Sequence, residues 1–195
     1  MYRQSMIEFI EQSNPLYGPP APVPIIQEEA DFSQLLALYR QREPKSVLEI
    51  GTYKGGTFFH WLQNATPGSL VASVDDYEEA DNSHLYPEWC APAVRYEVIR
   101  GNTLDIRTVE AAWAFAPYDF IFIDGGHRDG EVRNDWLRYG RPMVAEHGIV
   151  AFHDIIRYDD YPRVQVYLLW SELRMEYKWE EFVSEDSSGI GVLYT

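Results

Sequence analysis

From residue 31 onward, short apolar runs alternate with longer stretches in which apolar residues recur every three or four positions. Phe32, Leu35, Leu36 and Tyr39 follow helical spacing. Asp31 and Gln34 stand where a capping box would start that helix, and Pro44 bounds its far end. Ser46–Ile50 (SVLEI) reads as a strand, the stretch from Thr57 as a helix, and Ser69–Val74 (SLVASV) as a second strand. Tyr96–Ile99 is a third, followed by a helical stretch over Leu104–Phe115. Tyr118–Ile123 (YDFIFI) is almost continuously apolar, as a parallel strand buried on both faces must be. Val132, Trp136, Tyr139 and Met143 mark an amphipathic helix, Gly148–Phe152 a fifth strand, and Arg163–Met175 another helix. Trp179–Val183 and Ile190–Tyr194 flank a polar loop and predict a closing hairpin. The alternation predicts an α/β fold: a doubly wound, Rossmann-like sheet of about seven strands, mostly parallel with a C-terminal antiparallel hairpin.

The first thirty residues break this rhythm. Residues 1–13 predict a short helix with Met6, Ile7, Phe9 and Ile10 on one side. Between Asn14 and Pro24, five prolines in eleven residues remove backbone donors and favour extended chain. The expected division is an N-terminal helix and proline-rich arm over 1–30, then one catalytic or binding domain over 31–195. Glu8 and Glu11 interrupt the only apolar patch of the N-terminus, which therefore does not read as a signal peptide.

Charge acts mainly by exclusion. Sixteen basic against 31 acidic residues give a net charge of −15, a field that repels a phosphate backbone. Nucleic acid and membrane are not expected partners. A single cysteine, Cys90, precludes an internal disulfide and suits a cytoplasmic setting. A small-molecule substrate is expected, and a homo-oligomer is compatible with the chain.

Candidate chemistry gathers where strands end. Glu49-Ile50-Gly51-Thr52-Tyr53-Lys54-Gly55-Gly56 turns the first strand into a helix, and glycine there lets a ligand approach the backbone. Lys54 precedes the glycines, against a phosphate-cradling P-loop, and Tyr53 fills the second glycine of a dinucleotide fingerprint. A nucleoside ligand with no phosphate beside this loop remains, and S-adenosylmethionine (SAM) fits. Asp75, 24 residues beyond Gly51, and Asp76 end the second strand, where a carboxylate can accept from ribose hydroxyls. Gly101-Asn102 follows the third strand, at the place expected for the adenine. The candidate cofactor residues are Glu49, Gly51, Thr52, Tyr53, Gly55, Asp75, Asp76, Asn102 and Asp124. Asp124-Gly125-Gly126-His127 and His153-Asp154 end the fourth and fifth strands; carboxylates and imidazole can ligate a divalent metal, and histidine takes a proton near neutral pH.

The runs SVLEIGTYKGGTFFHWL, YDFIFIDGGHRDGEVRNDW and GIVAFHDI, within residues 46–156, resemble the class I methyltransferases related to macrocin O-methyltransferase and cephalosporin-biosynthesis methyltransferase-like proteins. The resemblance implies a last strand inserted antiparallel into the sheet, SAM contacts from Glu49, Gly51 and Asp75, and transfer to a small-molecule hydroxyl. It also implies magnesium held by Asp124 and Asp154, with His127 as general base. Family members often carry Glu before the second of these aspartates; here His153 takes that place as a candidate third ligand. A non-catalytic SAM- or nucleoside-binding module and a nucleoside-dependent oxidoreductase stay open as alternatives. The loop Tyr77–Pro92 is long for a strand–helix connection and is expected to act as a lid or acceptor-binding loop.

Overall fold

A computed structural model describes residues 22–78 and 80–195. The helix expected over 1–13 and most of the proline segment lie outside the described residues. The elements run α1 (Glu29–Arg42), β1 (Ser46–Ile50), α2 (Gly56–Asn64), β2 (Leu70–Asp75), a 3-10 turn at Ser83–Leu85, α3 (Tyr86–Trp89), β3 (Arg95–Arg100), α4 (Ile106–Trp113), β4 (Tyr118–Ile123) and α5 (Asp129–Asp135). After α5 come a π-helical turn (Trp136–Gly140), α6 (Arg141–Met143), β5 (Val144–His153), α7 (Val166–Leu173), β6 (Lys178–Phe182) and β7 (Ile190–Tyr194). The sheet order is β3-β2-β1-β4-β5-β7-β6. β7 lies antiparallel between β5 and β6, and the other pairings are parallel. This is the doubly wound α/β sheet that the sequence pattern predicts.

The two-residue period of each strand feeds two cores. Val47, Val71, Phe120 and Phe122 face α1, α2 and α3, among Phe32, Leu36, Tyr39, Phe58 and Trp61. Leu48, Val74, Ile121 and Ile123 face the other side, against Val109 of α4, Val132 of α5 and Leu169 and Trp170 of α7. Among the described residues no helix is long and apolar enough to cross a membrane.

Local readings shift in instructive ways. α1 starts at Glu29 with Glu28 as N-cap and no side-chain cap, so Asp31 is a buried first-turn residue and not the cap its spacing with Gln34 predicts. Within the stretch after β2, Tyr86 and Trp89 are buried against Phe58 and Phe59. Pro22–Glu28 runs along the domain, with the Pro24 carbonyl 2.3 Å from where a Cβ of Gly56 would sit. That contact admits only glycine at the first position of α2.

The helix expected around Val132–Met143 contains a π turn, which places Asp135 in full burial directly behind Gly125. Asp135 Oδ2 lies 3.1 Å from where a Gly125 Cβ would be and has no hydrogen-bond partner. Burial pushes its carboxyl up to about 6, against the opposing hydrogen bonds from Thr103 and Asn134. The folded pKa is above the unfolded one, so ionisation opposes folding; the penalty is absent below roughly pH 4 and complete above roughly pH 7. Asp135→Asn, which keeps the neutral shape, is expected to raise stability at pH 7.5 by on the order of 1–3 kcal/mol and by little at pH 4. Urea unfolding at the two pH values measures this, and an equal gain at both would contradict it.

Candidate active site

In this sheet the chain winds outward from β1 through β2 to β3, then returns to the other side of β1 as β4. The ends of β1 and β4 therefore part at a topological switch, where open α/β sheets form clefts. A cavity of about 1220 Å³ opens there, reaching from the glycine loop to the ends of β4 and β5. Gly51 is the hinge of its floor. Its φ is +84°, and a Cβ would lie 2.1 Å from the Asp124 carbonyl oxygen. The Asp124 amide donates to the Ile50 carbonyl at 2.8 Å, so the two loops are locked edge to edge.

At one end of the cavity, Asp75 organises the glycine loop. Its Oδ2 accepts from the Thr52 and Tyr53 amides at 2.7 and 2.8 Å, and its Oδ1 from the Tyr77 amide at 2.6 Å. Asp76 is exposed and lines the cavity beside it, with Gly101 and Asn102 further along. Glu49 shares the α2 face of β1 with Val47 and is completely buried. Its Oε1 accepts from the Thr57 hydroxyl and from Trp61 Nε1 at 2.9 Å, while Oε2 has no partner. Burial raises this carboxyl to about 8, the Thr57 and Trp61 bonds offsetting part of the cost.

At the other end, β4 and β5 pair in register up to Ile123 and Phe152, which brings Asp124 beside His153 and Asp154. Asp154 takes a left-handed backbone (φ +62°), a conformation aspartate tolerates, and its Oδ2 meets His127 Nε2 at 2.9 Å. His127 Nε2 is also 3.9 Å from Asp124 Oδ1. Asp124, His127 and Asp154 each offer one ligand atom, all within 4.8 Å of one another. The hydrogen bond from His127 to Asp154, aided by the charges of both aspartates, lifts the His127 pKa above the ordinary imidazole value against the effect of burial.

His153 is buried and wired on both sides. Its Nδ1 lies 3.1 Å from Asp124 Oδ1 and its Nε2 2.8 Å from Ser188 Oγ, whose hydroxyl donates to Glu28 Oε2 at 3.0 Å. Ser188 has one proton and gives it to Glu28, so it accepts from a protonated Nε2; the Asp124 carboxylate requires a protonated Nδ1. Burial opposes this imidazolium, but Asp124, Asp154 and Glu28 outweigh it and hold the His153 pKa well above its ordinary value. From the arm, Gln27 Nε2 donates to Asp124 Oδ2.

Residues 48–155 match the family described as Methyltransferase domain. The chain belongs to this methyltransferase family. Solved structures share the fold. An O-methyltransferase from Bacillus cereus in complex with SAH superposes with a TM-score of 0.66 at 19% identity, over 98% of this chain and 96% of that one. The O-methyltransferase TomG from Streptomyces achromogenes, involved in tomaymycin synthesis and in complex with SAM, gives 0.62 at 16% identity, over 99% and 90%. The MycE methyltransferase of the mycinamycin biosynthetic pathway, in complex with Mg, SAH and mycinamycin VI, gives 0.56 at 19%, over 83% of this chain and 47% of that one.

Within this methyltransferase, the structure brings Gly51, Thr52, Tyr53, Asp75, Asp76, Asn102, Asp124, His127, His153 and Asp154 to one cavity. Glu49 and Gly55, expected at the cofactor, do not line it. Glu49 is beneath the loop on the α2 face, and Gly55 (φ +86°) packs near Tyr86 and Trp89. Both nitrogens of His153, expected as a third metal ligand, are engaged in hydrogen bonds, and the imidazole in the cluster of Asp124 and Asp154 is that of His127. Gln27, Glu28 and Ser188 escaped sequence reasoning. They come from the arm and the hairpin loop, carry no motif, and meet Asp124 and His153 only through the tertiary fold.

Asp75→Asn replaces one acceptor oxygen with a donor facing amide N–H groups. It is expected to lower stability by about 1–3 kcal/mol in the ligand-free protein, whereas exposed Asp76→Asn stays within about 0.5 kcal/mol. Denaturant melts of the two variants check this, and equal stabilities would contradict Asp75 as the loop's anchor.

Proposed function

We propose that this methyltransferase transfers the methyl group of SAM to a hydroxyl oxygen of a small-molecule acceptor, held at Asp124, His127 and Asp154. The observation that carries the reading is the meeting, in one cavity, of the glycine loop and this cluster. The O-methyltransferases and the SAM, SAH and Mg complexes among the structural neighbours support it.

The residues present fit the cofactor. Asp76, just beyond β2, is exposed in the cavity and, with Oδ1 accepting from the Glu78 amide, has its other oxygen for ribose hydroxyls; Asn102 lines the cavity on the side we assign to the base. With Thr52 and Tyr53 amides already bonded to Asp75, the loop offers little to a phosphate and suits a nucleoside. SAM supplies a methyl group on a sulfonium, an electrophile that needs alignment and a deprotonated acceptor. An O,O,N donor set of two carboxylates and an imidazole also fits a divalent cation, with magnesium or manganese suited to the oxygens. A cation bound there supplies Lewis acidity to the acceptor hydroxyl.

The chain's own residues do the remaining work. In the cation-free cluster His127 takes up the acceptor proton at the nitrogen that a cation would otherwise occupy, and Asp154 Oδ2 holds the imidazolium that results. His153 and Gln27 fix the two oxygens of Asp124, so this carboxylate faces the cavity in one orientation. The Pro24–Glu28 arm walls the cavity from above the sheet edge and limits water at the reacting atoms.

Calorimetry is expected to show SAH binding in the micromolar range, weakened about tenfold or more in Asp76→Asn. His127→Ala is expected to keep that affinity but to lower turnover on hydroxylated acceptors by about 10²–10⁴-fold. Absence of SAH binding contradicts the reading. Binding without turnover on any hydroxylated compound points instead to a non-catalytic module.

A further inference from the structure

His127 stands in an open place for a residue with an exacting task. Its side chain is 47% exposed, and it lies on the short turn between β4 and α5, directly after Gly125 and Gly126. A half-exposed imidazole has more than one staggered rotamer open to it. Its aim at Asp154 Oδ2, 2.9 Å away, therefore depends on how firmly the main chain of the turn is held.

The turn is gripped from outside the cavity. The Gln165 amide donates to the His127 carbonyl at 2.7 Å, and Gln165 Oε1 accepts from the Asp129 amide at 3.1 Å. One residue thus closes on both sides of Arg128, whose own amide donates to Glu131 Oε2 at 3.2 Å. Asp129 opens α5, and the first amides of a helix have no acceptor within it. Gln165 supplies that acceptor from a distant element.

Gln165 is itself well anchored. It precedes α7, whose Val166, Leu169 and Trp170 are buried in the same core as Val132 and Trp136. Arg133 of α5 donates to Asp129 Oδ1 at 2.9 Å and to Glu172 Oε2 of α7 at 2.7 Å, a second tie between the two helices. The chain from Asp154 to Gln165 therefore sets both partners of the His127–Asp154 contact. One end is Asp154 itself, and the other holds the turn that carries His127.

We infer that Gln165 is a positioning residue of this site, acting through His127: it holds the turn so that Nε2 faces Asp154 and, in the loaded protein, the cation. Gln165 does not line the cavity and touches neither cofactor nor acceptor. The inference rests on the function proposed above and adds the residue that aims its imidazole.

The test follows manganese binding to the full chain saturated with SAH by electron paramagnetic resonance. Spin-echo modulation in the same samples reports whether an imidazole nitrogen is bound to the metal. Gln165→Met keeps the length of the side chain and removes the acceptor; Gln165→Glu keeps an acceptor oxygen. Gln165→Met is expected to weaken manganese binding about tenfold, as loss of a group that orients a ligand does, and to lower the nitrogen modulation by about half or more. Its SAH affinity, measured by calorimetry, is expected to stay within about twofold of the wild type. Gln165→Glu is expected to bind manganese at least as well as the wild type, with full modulation. Manganese affinity within about twofold of the wild type in Gln165→Met, or undiminished modulation there, overturns the inference. So does a Gln165→Met protein that also loses SAH, or a Gln165→Glu protein as impaired as Gln165→Met. A wild type that binds SAH but shows no manganese–nitrogen coupling contradicts His127 as a cation ligand, and the inference falls with that part of the proposed function.

Discussion

The close approach of Gly51 to the Asp124 carbonyl is the constraint on which the site depends. Two parallel strands normally diverge into separate loops where the winding reverses, and the gap fills with side chains. Here the absence of a Cβ at Gly51 and its left-handed backbone let the loops after β1 and β4 touch through main chain alone. The glycine loop and the Asp124–His127 turn become one continuous floor. Any larger residue at position 51 pushes that floor apart and separates the two ends of the cavity.

On this floor the polar groups are arranged by a chain of hydrogen bonds that crosses four distant parts of the sequence. It runs from Glu28 on the arm through Ser188 in the hairpin loop to His153 on β5 and Asp124 after β4, with Gln27 closing on the other carboxylate oxygen. A buried imidazolium is costly in isolation. Asp124 and Glu28 make it tolerable here, and in return it orients Asp124 without supplying a ligand atom. His127, half exposed and bonded to Asp154, keeps the freedom to exchange a proton with a ligand. Two histidines of similar sequence context thus differ in burial and partners: His153 is bonded at both nitrogens, and His127 is half exposed beside Asp154.

Much of this was legible in the residue pattern. YDFIFI fixed β4 to the residue, because a run apolar on both faces has no alternative inside a doubly wound sheet. Ile190–Tyr194 did so for β7, bounded by a polar loop. The convergence of Asp124, His127 and Asp154 followed from their places just beyond adjacent strand ends. What escaped has a common cause. The Asp31/Gln34 spacing matches a cap, yet the cap is Glu28, three residues earlier; the π turn after Asp135 leaves the apolar spacing of Val132, Trp136, Tyr139 and Met143 nearly unchanged. Glu49, which the family resemblance assigns to the cofactor, is turned by strand alternation into the α2 face, where it bonds Trp61. Gln27 and Ser188 act through contacts 97 and 35 residues away in sequence, which no local pattern encodes.

The central claim is that one cavity holds a nucleoside cofactor at the glycine loop and a divalent cation at Asp124, His127 and Asp154, side by side. The most direct measurement is proton NMR of SAH bound to the protein during titration with manganese, whose paramagnetism broadens nearby signals steeply with distance. The account expects the homocysteine protons to broaden before the adenine protons, and the effect to vanish in Asp154→Asn while SAH stays bound. Uniform broadening, none at all, or a gradient that survives Asp154→Asn would contradict it.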